Sequence, residues 1–172
     1  MYEEWLVVGT FIGAGASGLI AYGTIRYSKR QHERTAMKDI FEMLNNDTHK
    51  AGEINILVRY NFGDLMVDDK INPAVEDWVK IVWRNYDQAG LLVTNNLVPK
   101  NAYYKMFGKV TIIAYHMLRE EILRRRNESP EFMMYFEELA KDCFTKQWKG
   151  LVTDPRTKRQ ITHQDLGIST LS

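Results

Sequence analysis

An uncharged run near the N-terminus constrains this chain more than any other feature of its sequence. From Trp5 to Ile25 there are 21 consecutive positions without Asp, Glu, Lys or Arg. As a helix rising about 1.5 Å per residue, the run would span about 31 Å, which matches the ~30 Å hydrocarbon core of a bilayer. Buried helices of soluble proteins usually have shorter apolar runs. The run therefore predicts a transmembrane anchor, and we assign residues 1–27 to it.

A cleaved signal peptide is the main alternative, because Ala14-Gly15-Ala16 resembles a cleavage site. Two features argue against it. Signal peptides begin with basic residues, whereas this chain has Glu3 and Glu4 there. The apolar run also continues past Ala16 into a basic flank. We therefore expect the segment to be retained in the membrane.

The charges that flank the run predict its orientation. No Lys or Arg precedes it, and Arg26, Lys29, Arg30 and Arg34 follow it. The positive-inside rule places the basic flank in the cytoplasm and the N-terminus outside. Arg26, Lys29 and Arg30 are also candidate contacts for membrane lipids or an acidic partner.

Small residues recur every four positions along the predicted anchor. They share one helix face, which consists of Gly9, Gly13, Ser17 and Ala21. Such a face lets transmembrane helices approach closely enough to pack. It predicts association of the anchor with itself or with another membrane subunit. Glycine is also simply common in such helices.

The rest of the chain has helical spacing of apolar residues, interrupted by cap and turn residues. The anchor helix is expected to continue to Leu44, where the turn-rich Asn45-Asn46-Asp47 ends it. A second helix follows, with Thr48 or Asn46 as its cap, and residues 61–72 form a loop. The residues expected to face inward from the second helix are Ile54, Leu57, Val58 and Phe62.

Three further helices are marked by cap signals. Asn72-Pro73, Val98-Pro99 and Ser129-Pro130-Glu131 each start one. Asn95-Asn96 supplies a left-handed stop to the first of them. The third helix is predicted to face inward with Val75, Trp78, Val79, Val82, Tyr86, Ala89 and Val93. The fourth is predicted to do so with Tyr103, Phe107, Val110, Ala114, Met117 and Leu118. The fifth is predicted to do so with Phe132, Phe136, Leu139, Ala140 and Cys143.

No segment alternates like a strand, so the predicted fold is all-α. An N-terminal transmembrane helix continues into a cytoplasmic bundle of about four helices, which occupies residues 28–150. Residues 151–172 are polar and lack a period, and they are expected to form a C-terminal tail.

Several segments resemble a known family. They are Arg84 to Val93, Asn96-Leu97-Val98-Pro99, Tyr104 to Gly108, Pro130-Glu131-Phe132 and Phe136 to Ala140. Over about residues 81–144 the chain is similar to the largely bacterial domain-of-unknown-function 4760 family. The resemblance implies an all-helical fold and a membrane anchor, here in the bacterial inner (cytoplasmic) membrane. It carries over no catalytic residue.

No pattern in the sequence indicates catalysis, a metal or a cofactor. The four histidines lack ligand spacing, and His116 is expected to be a partly buried, hydrogen-bonded histidine or a surface one. Glu121 with Arg125 fits a solvated helix face, and Cys143 fits a buried structural thiol. The glycines from Gly13 to Gly18 match a dinucleotide fingerprint only superficially, because no strand precedes them.

The charge pattern limits the partners. Lys and Arg total 23 against 22 Asp and Glu, so nucleic acid is not an expected partner. The densest basic cluster is Arg124, Arg125 and Arg126. These arginines complement the helix dipole, and they are also candidate contacts for lipid phosphates or an acidic partner.

The function predicted from the sequence is therefore that of a structural, accessory or assembly subunit of a membrane complex, and not an enzyme. Its partners are membrane lipids and other membrane subunits, or a second copy bound through the anchor. Two alternatives stay open. One is a small membrane effector that oligomerises. The other is a ligand-sensing or enzymatic bundle with a pocket near Trp83, Asn85 and Tyr86.

Overall fold

A computed structural model describes the backbone of residues 2–168 and the side chains of residues 24–168. The chain divides into two compact units, Met1–Thr35 and Ala36–Ser172. The first helix, α1, spans Tyr2–Asn45. This continuity confirms that no break separates the predicted anchor from the amphipathic segment after it.

The first unit consists of helix α1 as far as Thr35. Within it, Arg26, Lys29 and Arg30 are exposed. The predicted packing face of Gly9, Gly13, Ser17 and Ala21 lies outside the residues whose side chains are described. So does most of the predicted anchor, since only its residues 24–27 have described side chains. Within residues 24–168, no helix has both the length and the apolar character needed to cross a membrane.

The described part of the second unit is mostly helical, which confirms the predicted all-α class. After the end of α1, its helices are α2 Asp47–Phe62, α3 Glu76–Thr94, α4 Lys100–Arg126 and α5 Met134–Cys143. Shorter helical turns are Pro73–Val75, Phe144–Trp148 and Gln164–Leu166. Within the predicted loop 61–72, strands β1 Met66–Val67 and β2 Lys70–Ile71 pair antiparallel, with Met66 opposite Ile71.

Several predicted caps lie where the sequence indicates. The side chain of Asn46 accepts a hydrogen bond from the backbone N–H of His49 at 2.7 Å and caps α2. The side chain of Asn72 accepts from the N–H of Ala74 at 3.0 Å. Asn96, with φ of 56°, takes the left-handed conformation just after α3. These local signals are reliable because each satisfies backbone groups that a helix end leaves unpaired.

The predicted start of α5 is wrong. The helix begins at Met134, and Ser129-Pro130-Glu131 lies in a turn before it. Arg126 accounts for the later start of the helix, because its guanidinium donates hydrogen bonds to the carbonyls of Phe132 at 2.8 Å and Met133 at 3.1 Å. These bonds hold the chain in a turn that ends with Met133 at a φ of 53°.

Helix α3 forms the centre of the bundle and packs between α2 and α5. Its predicted inward face is buried, except that Trp78 is only partly buried. The ring of Tyr86 stacks on Phe136 with centroids 5.0 Å apart, and Tyr115 of α4 meets Phe136 edge-on at 5.5 Å. On α5, the predicted inward residues Phe136, Leu139, Ala140 and Cys143 are all buried.

The predicted inward face of α2 is wrong. Ile54 is 61% exposed, Val58 44% and Phe62 81%. The buried side of α2 carries His49, Gly52 and Ile56 instead. Gly52 allows close contact with α3, since a Cβ placed there would lie 2.8 Å from Val82 Cγ2. Val110 of α4, also predicted inward, is 43% exposed.

The segment after Gly150, expected to be a polar tail, is described as far as Ile168. It contains an antiparallel bridge between Thr153 and Gln160. Val152, Ile161 and Leu166 are buried within the core of the unit. This part of the chain therefore belongs to the folded body of the second unit.

Candidate protein-binding groove

An apolar groove of about 260 Å³ lies between α2 and α4. Ile54 and Leu57 of α2 form one side of it. Val110, Ile113 and Met117 of α4 form the other, and Val82 of α3 lies between them. The groove exists because α2 turns its small Gly52 toward α3 and leaves its larger apolar residues uncovered. Contiguous exposed apolar surface of this kind commonly marks an interaction site.

Polar contacts join the same two helices next to the groove. The Tyr60 hydroxyl of α2 lies 3.2 Å from His116 Nε2 of α4, both residues line an adjoining pocket that shares Met117 with the groove, and Pro155 of the C-terminal segment lines the groove itself. These contacts fix the spacing of the two helices at this point. Elsewhere the apolar sides remain accessible, as the exposure of Ile54 and Val110 shows.

Glu53 is the only charged residue that lines this groove in the described part of the chain. The Tyr86 hydroxyl donates a hydrogen bond to Glu53 Oε1, and His49 Nε2 lies 3.3 Å from the same oxygen. Its other oxygen, Oε2, has no hydrogen bond to any described residue. The side chain is 29% exposed. Glu53 is therefore a fixed carboxylate with one available oxygen in an apolar wall.

Buried polar side chains support Glu53 from behind. His49 is fully buried, and its Nδ1 lies 3.2 Å from the side-chain nitrogen of Asn85. The His49 ring also meets Tyr86 edge-on at 5.2 Å. Burial, together with the charge of Glu53, raises the pKa of Tyr86 well above its ordinary value. Tyr86 therefore stays protonated and keeps donating to Glu53.

A second polar cluster fastens the C-terminal segment to the bundle. Asp154 Oδ1 accepts from the N–H of Arg156 at 2.7 Å, and Oδ2 accepts from the Thr157 hydroxyl at 2.8 Å. The Tyr60 hydroxyl and His116 Nε2 lie 3.2 Å and 3.4 Å from Oδ2. Burial alone would raise the pKa of Asp154, but these hydrogen bonds lower it to about 2.

The same cluster accounts for His116 and Tyr60. The side chain of His116 is 12% exposed, which confirms the expectation of a partly buried, hydrogen-bonded histidine. Burial, followed by the charge and hydrogen bond of Asp154, raises the pKa of Tyr60 to about 12. A polar pocket of about 260 Å³ adjoins the cluster. Because Asp154 is already saturated with partners from its own segment, we interpret the cluster as structural.

The predicted basic cluster lies beside a cleft of about 740 Å³, which the β1–β2 hairpin and the end of α4 line. Arg124 and Arg125 both donate to Glu121, at 2.7 Å and 2.6 Å. The prediction that Glu121 lies on a solvated face is wrong, because it is 1% exposed. Arg126 pairs with Glu137.

Arg125 has a further role within the bundle. Its guanidinium lies 4.7 Å from the centroid of the Trp83 ring and 5.7 Å from that of Phe132, within the range of cation–π attraction. Arg124, Arg125 and Arg126 are thus all engaged by residues of the second unit. Their contact with lipid or an acidic partner stays a prediction.

The other candidates from the sequence are placed in the core. Trp83, Asn85 and Tyr86, the suggested surroundings of a ligand pocket, are buried, and the last two stand behind Glu53. Cys143 is a free, buried cysteine, and burial raises the pKa of its thiol. Within the described residues, no group of three or more His, Cys, Asp or Glu could hold a metal ion.

Fold and groove together define, in the described part of the chain, a small helical bundle with an uncovered apolar groove. The model of the family described as Domain of unknown function (DUF4760) matches residues 11–143. The chain belongs to this family, and the match extends well beyond the segment in which the sequence motifs indicated it. Comparison with curated proteins and with solved structures gives no match.

Proposed function

We propose that this protein is a single-pass membrane subunit whose helical bundle binds another protein through the α2/α4 groove. Its role is structural or accessory, in the assembly of a membrane complex. The observation that carries the proposal is the uncovered apolar surface around Ile54 and Val110, which has one fixed carboxylate, Glu53, in its wall. The proposed function is binding, since apolar side chains line the groove apart from Glu53.

The membrane part of the proposal rests on the sequence. The uncharged run Trp5–Ile25 has the length of one bilayer crossing, and the basic residues that follow it favour a cytoplasmic bundle. The location is then the bacterial inner membrane, with the N-terminus outside. The face of Gly9, Gly13, Ser17 and Ala21 would supply a second contact, to another subunit or to itself, within the membrane.

The binding role of the groove predicts a change in assembly size. Val110→Asp should shift the native complex to a smaller size, because a buried, unpaired carboxylate opposes docking on an apolar surface. Size is measured by native electrophoresis and light scattering in a mild detergent. Met134→Asp is the matched control, since Met134 of α5 is also 43% exposed and does not line the groove. Equal assembly sizes for wild type and both variants would contradict the proposal.

The proposed topology predicts the accessibility of an introduced cysteine. Lys158→Cys should not react with a membrane-impermeant maleimide in intact cells and should react after lysis, because Lys158 is exposed on the proposed cytoplasmic bundle. The only native cysteine, Cys143, is buried, so maleimide labelling of the wild-type chain measures the background reaction. Labelling of Lys158→Cys before lysis would reverse the orientation.

A further inference from the structure

We infer that the groove takes an amphipathic helix that places a lysine or arginine against Glu53. The inference rests on the proposed function and deepens it, because it names the shape and the charge of the partner segment. It follows from two independent features of the groove, the geometry of its walls and the state of its one carboxylate.

The walls of the groove favour a helical occupant. Both are helices that present apolar residues at helical spacing, with Ile54 and Leu57 on α2 and Val110, Ile113 and Met117 on α4. A third helix can pack its own ridge of side chains between them. An amphipathic helix in an apolar groove is a common mode of peptide recognition, with anchors three, four and seven residues apart.

Glu53 determines the charge of that helix. An occupant that covers the groove removes water from the carboxylate, and a buried carboxylate without a cation is strongly unfavourable. Among the described residues, the His49 ring is the one basic group near Glu53, with Nε2 3.3 Å from Oε1, and no lysine or arginine forms an ion pair with the carboxylate. Tyr86 and His49 both approach Oε1, so Oε2 is left for an incoming donor. A lysine or arginine that pairs with Oε2 therefore comes from the occupant.

The support behind Glu53 makes it a defined recognition element. The hydroxyl of Tyr86 is fixed by the stacking of its ring on Phe136, at 5.0 Å. His49 is fixed by full burial and by its contact with Asn85. A carboxylate held in one position loses little side-chain entropy on binding, so it can distinguish a basic partner from a neutral one. A lipid acyl chain would fill the apolar part and leave the charge unmatched.

A selection experiment tests the inference without a known partner. The full chain in nanodiscs is the target for a phage-displayed library of amphipathic helices, which has a fixed apolar ridge and randomised flanking positions. Empty nanodiscs remove helices that bind lipid. We expect Lys or Arg to be enriched at one position beside the ridge. Selected helices should bind Glu53→Lys at least about tenfold more weakly, because like charges then face each other.

Charge exchange provides the decisive comparison. Selection on Glu53→Lys should enrich Asp or Glu at the same position, and selection on Glu53→Gln should lose the preference. Glu138→Lys, at an exposed site on α5, is the control and should keep the basic preference. If Glu53→Lys does not fold, as judged by circular dichroism, the Glu53→Gln result decides.

The outcomes separate the two proposals. Helices that depend on Val110 and show no basic preference would overturn this inference and leave the groove as a binding site. Helices that bind wild type and Val110→Asp equally, or a selection that yields none, would overturn both. A basic preference that persists in Glu53→Gln would also overturn the inference, because another group would then be its cause.

Discussion

Gly90→Ala should destabilise the bundle by about 3 kcal/mol, the upper end of the usual range for overpacked cores. At this position α3 touches the backbone of α5. A Cβ on residue 90 would lie 2.3 Å from the carbonyl oxygen of Tyr135 and 2.6 Å from its carbonyl carbon. Both partners are backbone atoms, so no side chain can turn away to make room.

Relief of the clash would require the two helices to separate, which disturbs contacts on both sides of Gly90. Asp87 of α3 accepts a hydrogen bond from the N–H of Phe136 at 2.9 Å, and the Tyr86 ring stacks on Phe136. The expected destabilisation therefore includes lost native contacts as well as strain.

Chemical denaturation followed by circular dichroism measures the effect on the full chain in detergent. The sign is the decisive part of the result. Alanine in place of glycine inside a helix normally stabilises by about 0.5–1 kcal/mol. A more stable Gly90→Ala variant would therefore contradict the close approach of α3 and α5. Gln88→Ala, at an exposed site on the same helix, should change stability by no more than about 0.5 kcal/mol.

The sequence predicts the helices well where strong local signals and a long apolar stripe coincide. Helix α3 has both, because Asn72 caps the short helical turn that leads into it, Asn96 follows its last residue, and the stripe runs from Val75 to Val93. In such a segment the buried face and the helical period agree. The choice of face then needs no information about distant parts of the chain.

Helix α2 shows why the same reasoning fails elsewhere. Its apolar residues Ile54, Leu57 and Val58 form an acceptable stripe, yet the face that meets α3 carries His49 and Gly52. Close packing of the α2 and α3 backbones favours the small residue Gly52, and the periodicity of apolar residues does not indicate such a contact. Gly52 in the middle of a helix was the available signal, because glycine there usually has a packing reason.

The candidate site depended on contacts that the sequence does not reveal. Glu53 and Tyr86 are 33 positions apart, and Tyr60 and His116 are 56 apart. Spacing arguments detect partners within one or two helical turns only. The Glu121–Arg125 pair was visible by spacing, but the same spacing occurs on exposed and buried helix faces.

Glu121→Ala should destabilise the second unit by about 3 kcal/mol. Removal of one member of a buried ion pair typically costs about 3–5 kcal/mol, because it leaves the other charge unpaired. The lower end applies here, since the Arg124 side chain is 37% exposed and that of Arg125 29%, so water partly solvates both. Glu120→Ala, at the exposed neighbouring position, is the matched control and should change stability by no more than about 0.5 kcal/mol.

The pH dependence of this effect tests its electrostatic origin. Burial alone would raise the pKa of Glu121, but the hydrogen bonds and charges of Arg124 and Arg125 bring it below its ordinary value. A carboxyl whose pKa is lower in the folded state stabilises fully above its unfolded pKa, about 4.3 for glutamate, and loses this contribution as pH falls through the folded pKa. The stability difference between wild type and Glu121→Ala should therefore be largest near neutral pH and shrink below about pH 4. A difference that stays constant from pH 7 to pH 3 would mean that Glu121 stabilises the bundle by packing and not by its charge.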